Sequence, residues 1–407
     1  IQHSVLFPNA KDNVDNLAVE DAATQILTQL HSPRQDLRPQ LSHRRVSIAK
    51  MDRIQRFGGV EHCYVMCKGC HDKEPIRQQN EASNTTGQDK TADSRAMFEW
   101  LFGKGFNPDS DIPSLNGKVI LITGGNTGLG KETVLQLAKH EPQEIFLAAR
   151  TPSKAEAAIE DIKKQVPHGN ITFLQMDLTS LASVKQAADE FKSRSDRLDV
   201  LINNAGIMAV PYSKTKDGYE IQFGTNHVGH ALLTKLLLPT LLKTAEQPNA
   251  DVRVINVSSE GHYMAPGIIY DQDKLETYIT WQRYGQSKLA NILHARELQK
   301  RYPAITATSL HPGVIITDLY ASQEKTNPLI RVSLPLLKKV TLDVPGGAKN
   351  SLWAATASKD RVRSSHYWKP VGSKSGGSFW FAQKEDLAKQ LWDWTEEELD
   401  TQLKKMN

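Results

Sequence analysis

The sequence predicts an α/β fold, a doubly wound parallel sheet with helices on both faces. Three observations carry that expectation. Strand-like and helix-like runs alternate after Asp111, the first strand runs into a glycine-rich turn and a helix, and the polar motifs further on fall at strand carboxyl ends. Alternation of this kind builds a parallel sheet, and such sheets bind ligands beyond the carboxyl ends of their strands, where strand order reverses.

Taken in order, the β-branched runs at 118–123, 144–150, 171–176, 200–203, 252–257 and 305–310 read as strands. Between them, 131–140, 154–165, 181–193, 230–244 and 286–301 have helical length and spacing. Composition shifts near residue 97. Before it the chain has few aromatics and weak periodicity, apart from one amphipathic stretch, 17–30, and 78–94 is almost wholly polar and reads as a linker. Met97 opens the run Met-Phe-Glu-Trp-Leu-Phe, which has the look of a natural start. The expected division is therefore a largely disordered extension over 1–96 and a catalytic domain over 97–407.

Composition limits the function. With 24% charged and 39% apolar residues, 407 residues accommodate two or three domains, or one large domain with extensions. Basic and acidic residues nearly balance, 13 against 12 through Arg95 and 50 against 46 overall, so nucleic acid is not an expected partner. No apolar run reaches the roughly 18 residues of a spanning helix. The opening Ile-Gln-His-Ser lacks the zones of a secretory signal, and three cysteines make no disulfide framework. The expected location is cytoplasmic, not secreted.

The first strand enters Thr123-Gly124-Gly125-Asn126-Thr127-Gly128-Leu129-Gly130. Glycines at 124, 128 and 130 let the backbone turn tightly and approach a pyrophosphate, and the following helix amino terminus supplies N–H donors and a positive dipole. This is a Rossmann-type turn. Roughly 20 residues on, an NAD site places an acid against the ribose 2′-hydroxyl. Here the second strand ends Ala148-Ala149-Arg150. A guanidinium suits a 2′-phosphate, so the expected cofactor is NADP(H).

Tyr284-Gly285-Gln286-Ser287-Lys288 puts a phenol and an ammonium four residues apart, on one face of a helix. A free tyrosine has a pKa of about 10. A neighbouring cation favours the phenolate, so the pair can exchange a proton with a substrate oxygen. Upstream, a strand ends in Ser258-Ser259, another in Asn203-Asn204-Ala205-Gly206, and Asn226 lies in Gly-Thr-Asn-His. Downstream, His311-Pro312-Gly313-Val314-Ile315-Ile316-Thr317 leaves a further strand.

In that order, with Asp177-Leu178 between the glycine turn and the asparagines, these motifs resemble the short-chain dehydrogenase/reductases from about Leu115 to the carboxyl end. The resemblance implies Tyr284 as general acid/base, Lys288 as the group that holds the nicotinamide ribose and lowers the tyrosine pKa, and Ser259, preferred to Ser258, as the group that polarises the substrate carbonyl. It gives Asn226 a water-linked proton relay through Lys288. Around the cofactor it implies Gly124, Asn126, Thr127, Gly128, Leu129 and Gly130 at the pyrophosphate, and Arg150 at the 2′-phosphate. It also implies Asp177 and Leu178 at the adenine, Asn203 or Asn204 with Ala205 and Gly206 on the adenosine side, and Pro312, Gly313, Val314 and Thr317 at the nicotinamide amide.

Leu147-Ala148-Ala149-Arg150, the 284–297 block, His311-Pro312-Gly313 and the tail Leu387–Trp392 look like the retinol dehydrogenase-like branch, which includes the WW-domain oxidoreductases. A WW module is not expected, because residues 1–96 lack its paired tryptophans. Ser259 and Tyr284 are 25 apart, and the resemblance to this branch, which carries such an insert, implies that 260–283 helps line the substrate pocket. The resemblance implies that the region of the apolar stretch 329–342 forms a lid over the substrate, suited if apolar to a lipophilic aldehyde, ketone or alcohol; read from its residues alone the stretch is equally a packing helix. Either it or 97–106 would supply peripheral contact with a membrane or lipid droplet. Cys63, Cys67 and Cys70, with His62 and His71, offer zinc or haem ligands, but their flanks lack a core, so no metal is expected. Two rivals to the enzyme stand: an NADP-sensing protein without catalysis, and a lipid-surface protein on the same fold. Oligomeric state is open.

Overall fold

A computed structural model describes residues 105–313, 343–375 and 379–406. The expectations for 1–96, the cysteine cluster, 97–104, Val314, Thr317 and 329–342 fall outside them. The strands are β1 Val119–Thr123, β2 Glu144–Ala149, β3 Ile171–Gln175, β4 Val200–Asn203, β5 Arg253–Val257, β6 Thr306–Leu310, β7 Tyr367–Lys369 and β8 Ser373–Lys374. They form one sheet in the order β3-β2-β1-β4-β5-β6-β7-β8, parallel throughout except for the closing β7–β8 pair.

The main helices are α1 Gly128–Ala138, α2 Pro152–Gln165, α3 Leu181–Arg194, α4 Gly229–Ala245, α5 Thr280–Arg301, α6 Val344–Thr356 and α7 Glu385–Met406. Residues of β1 alternate between two cores. Val119 and Leu121 pack with α3, α4, α5 and α7, while Ile120 and Ile122 pack with α1, α2 and α6. A strand covered on both faces reads as continuous Val-Ile-Leu-Ile rather than an alternation.

The chain runs β1, β2, β3 outward in one direction, then crosses to place β4 on the other side of β1. That reversal opens a crevice past the carboxyl ends of β1 and β4. The six central strands fall within a residue of the expected runs. Two helices start three or more residues earlier than their periodicity shows: α1 begins at Gly128 and α5 at Thr280, so Tyr284 sits in the second turn of its helix. Among the described residues no helix is long and apolar enough to cross a membrane.

Candidate active site

The turn after β1 holds Gly124 at φ +67° and Gly128 at φ +52°, conformations that favour glycine. A Cβ on Gly130 would meet the Gly124 carbonyl oxygen at 2.2 Å, so only glycine lets α1 begin this close to the turn. Gly125 has a separate role: a Cβ there would meet the Leu147 side chain of β2 at 2.7 Å. Thr127 is the exposed cap residue of α1, and Asn126 and Leu129 flank it, half-buried. Thr123 ends β1 with its hydroxyl accepting N–H bonds from Asn204 and Ala205, both at 2.9 Å.

The structure separates the two asparagines that the sequence left equivalent. Asn204 donates its amide to the Thr123 carbonyl at 2.8 Å and borders Gly124 and Gly130. Asn203 is buried, its amide given to Thr234 at 3.1 Å and Asn256 at 2.8 Å. Arg150 is exposed just past β2. Asp177 follows β3 and accepts from the Thr179 amide at 3.0 Å and its hydroxyl at 2.8 Å. Leu178 is buried against Gly229, whose Cβ would sit 2.9 Å from the Leu178 carbonyl.

Asn226 lies in a π-helical turn, Gly224–Val228, at the entry to α4. Such turns are rare and recur at functional sites. Its side chain clasps the backbone of Ile207, accepting from the amide at 2.8 Å and donating to the carbonyl at 2.9 Å, and it also donates to Ser287 at 2.9 Å. That clasp holds the loop after β4 against the catalytic helix. A Cβ on Gly206 would come 3.1 Å from Asn226 Oδ1 and 3.3 Å from Lys288 Nζ, so both groups face the space above Gly206.

On α5, Tyr284, Ser287, Lys288 and Asn291 share one face. Lys288 Nζ lies 5.8 Å from the centre of the Tyr284 ring and donates to the Val257 carbonyl at the end of β5, 3.0 Å away. Among the described residues Lys288 has no carboxylate partner, and burial pushes its pKa down to about 8. It therefore stays mostly cationic at neutral pH. Ser259 caps the short 3₁₀ turn Glu260–Met264, accepting from the Gly261 amide at 3.0 Å. Gly261 lies between the two hydroxyl-bearing residues. A Cβ on it would meet Tyr284 Cε1 at 2.6 Å and Ser259 Oγ at 3.4 Å. Ser258 instead is buried and donates to the Lys288 carbonyl at 2.8 Å.

The carboxyl ends of β1, β4 and β5, with the first half of α5, thus converge on one crevice holding a glycine cradle, a phenol, an ammonium and a hydroxyl. The sequence model of the short chain dehydrogenase family matches residues 118–328. The chain is a short-chain dehydrogenase/reductase. It is 41% identical over 304 residues to the short-chain dehydrogenase/reductase drtF of Aspergillus calidoustus, covering 71% of this chain and 95% of that one. To retinol dehydrogenase 12 of Mus musculus it is 36% identical over 279 residues, 68% and 84% of the two chains. A crystal structure of an uncharacterised protein from Mycobacterium paratuberculosis, 33% identical, superposes with a TM-score of 0.56 over 73% of this chain and 98% of that one. The protein belongs to the retinol dehydrogenase-like branch of its family, an oxidoreductase acting on CH–OH and C=O groups with a nicotinamide cofactor.

Several residues of this short-chain dehydrogenase/reductase site escaped the sequence reading. Thr123, His230, Asn256 and Asn291 form a polar seam beneath it, and Gln222, Arg283 and Gln286 brace its walls. The only sequence signal for the seam is a polar side chain inside an otherwise apolar run, such as Asn256 within Val-Ile-Asn-Val.

Proposed function

We propose that the protein interconverts a carbonyl and an alcohol on a lipophilic small molecule, using NADP(H), with Tyr284 as general acid/base. The observation that carries this reading is the placement of the Tyr284 ring edge and Ser259 Oγ around Gly261, with Lys288 Nζ 5.8 Å from the ring centre. The residues fit a dinucleotide: the turn at Gly124–Gly130 has the close approach that a pyrophosphate needs, and the space above Gly206 is kept by the lack of a side chain. When bound, the cofactor supplies or accepts the hydride.

The chain does the rest. Ser259 accepts from the Gly261 amide with one of its two lone pairs, and its proton would be donated to a substrate carbonyl oxygen. Tyr284 then delivers a proton to that oxygen as negative charge develops there, or removes it in the oxidative direction. The buried ammonium of Lys288 favours the phenolate left behind. Asn226, facing the same space as Lys288, holds the water-linked route by which the proton is replaced. Arg150, exposed where an acid would mark NAD, supports the 2′-phosphate reading. Gly124, Asn126, Thr127, Gly128, Leu129 and Gly130 would hold the pyrophosphate, Asp177 and Leu178 the adenine, and Asn204, Ala205 and Gly206 the adenosine side. Pro312 and Gly313 would sit at the nicotinamide.

The test is a titration of the full chain with NADPH and NADH, followed by turnover on medium- and long-chain aldehydes. The expected outcome is NADPH tighter by about tenfold or more, a difference of roughly 1.4 kcal/mol. Tyr284→Phe is expected to abolish turnover while keeping cofactor affinity. A preference for NADH would remove the role given to Arg150, and turnover surviving in Tyr284→Phe would remove the role given to the phenol.

A further inference from the structure

We propose that His230 is a positioning residue, a neutral imidazole held in one tautomer that ties the cofactor turn after β1 to the π-helical turn carrying Asn226. His230 is buried on α4, outside the crevice itself. Its Nε2 lies 2.8 Å from Thr123 Oγ1 and its Nδ1 lies 3.0 Å from the Asn226 carbonyl oxygen.

Donor and acceptor accounting fixes where the protons are. A carbonyl oxygen only accepts, so Nδ1 carries hydrogen and donates to Asn226. A hydroxyl has one proton and two lone pairs. Both lone pairs of Thr123 receive N–H bonds, from Asn204 and from Ala205, each at 2.9 Å. Its proton therefore points to Nε2, which must be the unprotonated nitrogen. An imidazolium would set an N–H against a hydroxyl whose lone pairs are already taken. Burial acts in the same direction, pushing the His230 pKa down to about 4.

The bridge joins parts that the chain brings together from distant positions. On one side, Thr123 sets the start of the glycine turn and gathers the amides of Asn204 and Ala205. On the other, the Asn226 side chain clasps Ile207 and touches Ser287, three residues after Tyr284. Movement of one relative to the other would stretch a bond at His230. Thr234, one turn further along α4, donates to the His230 carbonyl at 2.8 Å and accepts from Asn203, which locks the helix to β4.

The functional consequence rests on the roles proposed for Asn226 and the glycine turn, whereas the tautomer does not, so the two are measured separately. Nitrogen-15 spectra of histidine-labelled full-length protein, with the His230 signals assigned by their loss in His230→Gln, are expected to show a neutral Nδ1–H imidazole unchanged from pH 5.5 to 8. An Nε2–H pattern, or titration within that range, would overturn the proposal without touching the catalytic assignment. For the link itself, affinity is read by fluorescence titration with whichever of NADPH and NADH binds more tightly. His230→Gln keeps an acceptor near Thr123 and is expected to stay within about threefold of the parent, while His230→Leu loses about tenfold or more. Thr123→Val, which also strips the Asn204 and Ala205 amides of their acceptor, combined with His230→Leu should lose little beyond the larger single loss, since the Thr123–His230 bond is lost in both. Equal losses in the Gln and Leu variants, or additive losses in the double variant, would make His230 a packing residue only. Should the Leu variant fail to fold, the spectra of the unsubstituted chain still decide the tautomer.

Discussion

Ser258 and Ser259 are chemically identical neighbours, and their hydroxyls do different work. Ser258 Oγ is buried under α5 and given to the Lys288 carbonyl, whereas Ser259 Oγ stands beside Gly261 and the Tyr284 ring. Ser259→Ala should lower kcat by about a hundredfold, the scale of one lost donor to a developing oxyanion, with melting temperature held. Ser258→Ala should cost about 1 kcal/mol of stability and much less rate. Equal losses of rate in the two variants would show that the geometry does not distinguish their roles. The preference for Ser259 was legible in the sequence only through resemblance, because no spacing rule tells two adjacent hydroxyls apart. The asparagine pair shows the same limit. Asn203 ends a strand and Asn204 leaves it, so one faces the core and the other the glycine turn, and a shift of one residue in the strand end reverses them.

At the scale of elements, α5 is both the catalytic helix and the brace for the insert before it. Gln286 accepts from the Ile269 amide at 2.9 Å and donates to its carbonyl at 3.0 Å, pinning the middle of 260–283 to the helix. The start of α5 is tied to the start of the Asn226 segment by a buried ion pair, Arg283 Nε to Glu220 Oε1 at 3.3 Å. The contact is coulombic rather than an aligned hydrogen bond, since both atoms lack a bonded partner. The other Glu220 oxygen accepts from the Gln222 and Phe223 amides at 3.0 and 2.8 Å, and burial raises its carboxyl pKa. Arg283→Met should therefore cost about 3 kcal/mol at neutral pH, where it strands a buried carboxylate, and less toward pH 5, as the carboxyl takes a proton instead. Denaturant melts at the two pH values check this, and a cost that does not shrink on acidification would show that the pair is not electrostatic. Strands β1 to β6 were legible because each is an apolar run between helix-length segments. Strands β7 and β8 were not, because Tyr367-Trp368-Lys369 and Ser373-Lys374 are too short to show a period, β7 owing its pairing to β6 and β8 its pairing to β7.

Over the whole molecule, the buried histidines set how the fold responds to acid. His230, His294 and His311 are pushed down to about 4, chiefly by burial, and His227 lies well below its ordinary value for the same reason. In the unfolded chain each would titrate near 6.5. Between pH 6.5 and 4 the unfolded state therefore binds more protons than the folded one, so stability falls with falling pH in that window. Each histidine contributes about 1.4 kcal/mol per pH unit once its unfolded form is protonated. Glu220, with its carboxyl raised by burial, opposes them wherever it keeps a proton that the unfolded chain has released. His262 and His366 are lowered in the same way, so the histidines outnumber Glu220 and unfolding takes up protons in this window. Melting temperature should thus rise gently from pH 7 to 8, where Lys288 adds to the histidines, and fall steeply below pH 6, with proton uptake read from calorimetry in buffers of different ionisation enthalpy. A flat profile down to pH 4.5 would mean that the histidines are charged in the fold, and the polar seam that holds Asn226 against β1 would then need a different set of hydrogen bonds.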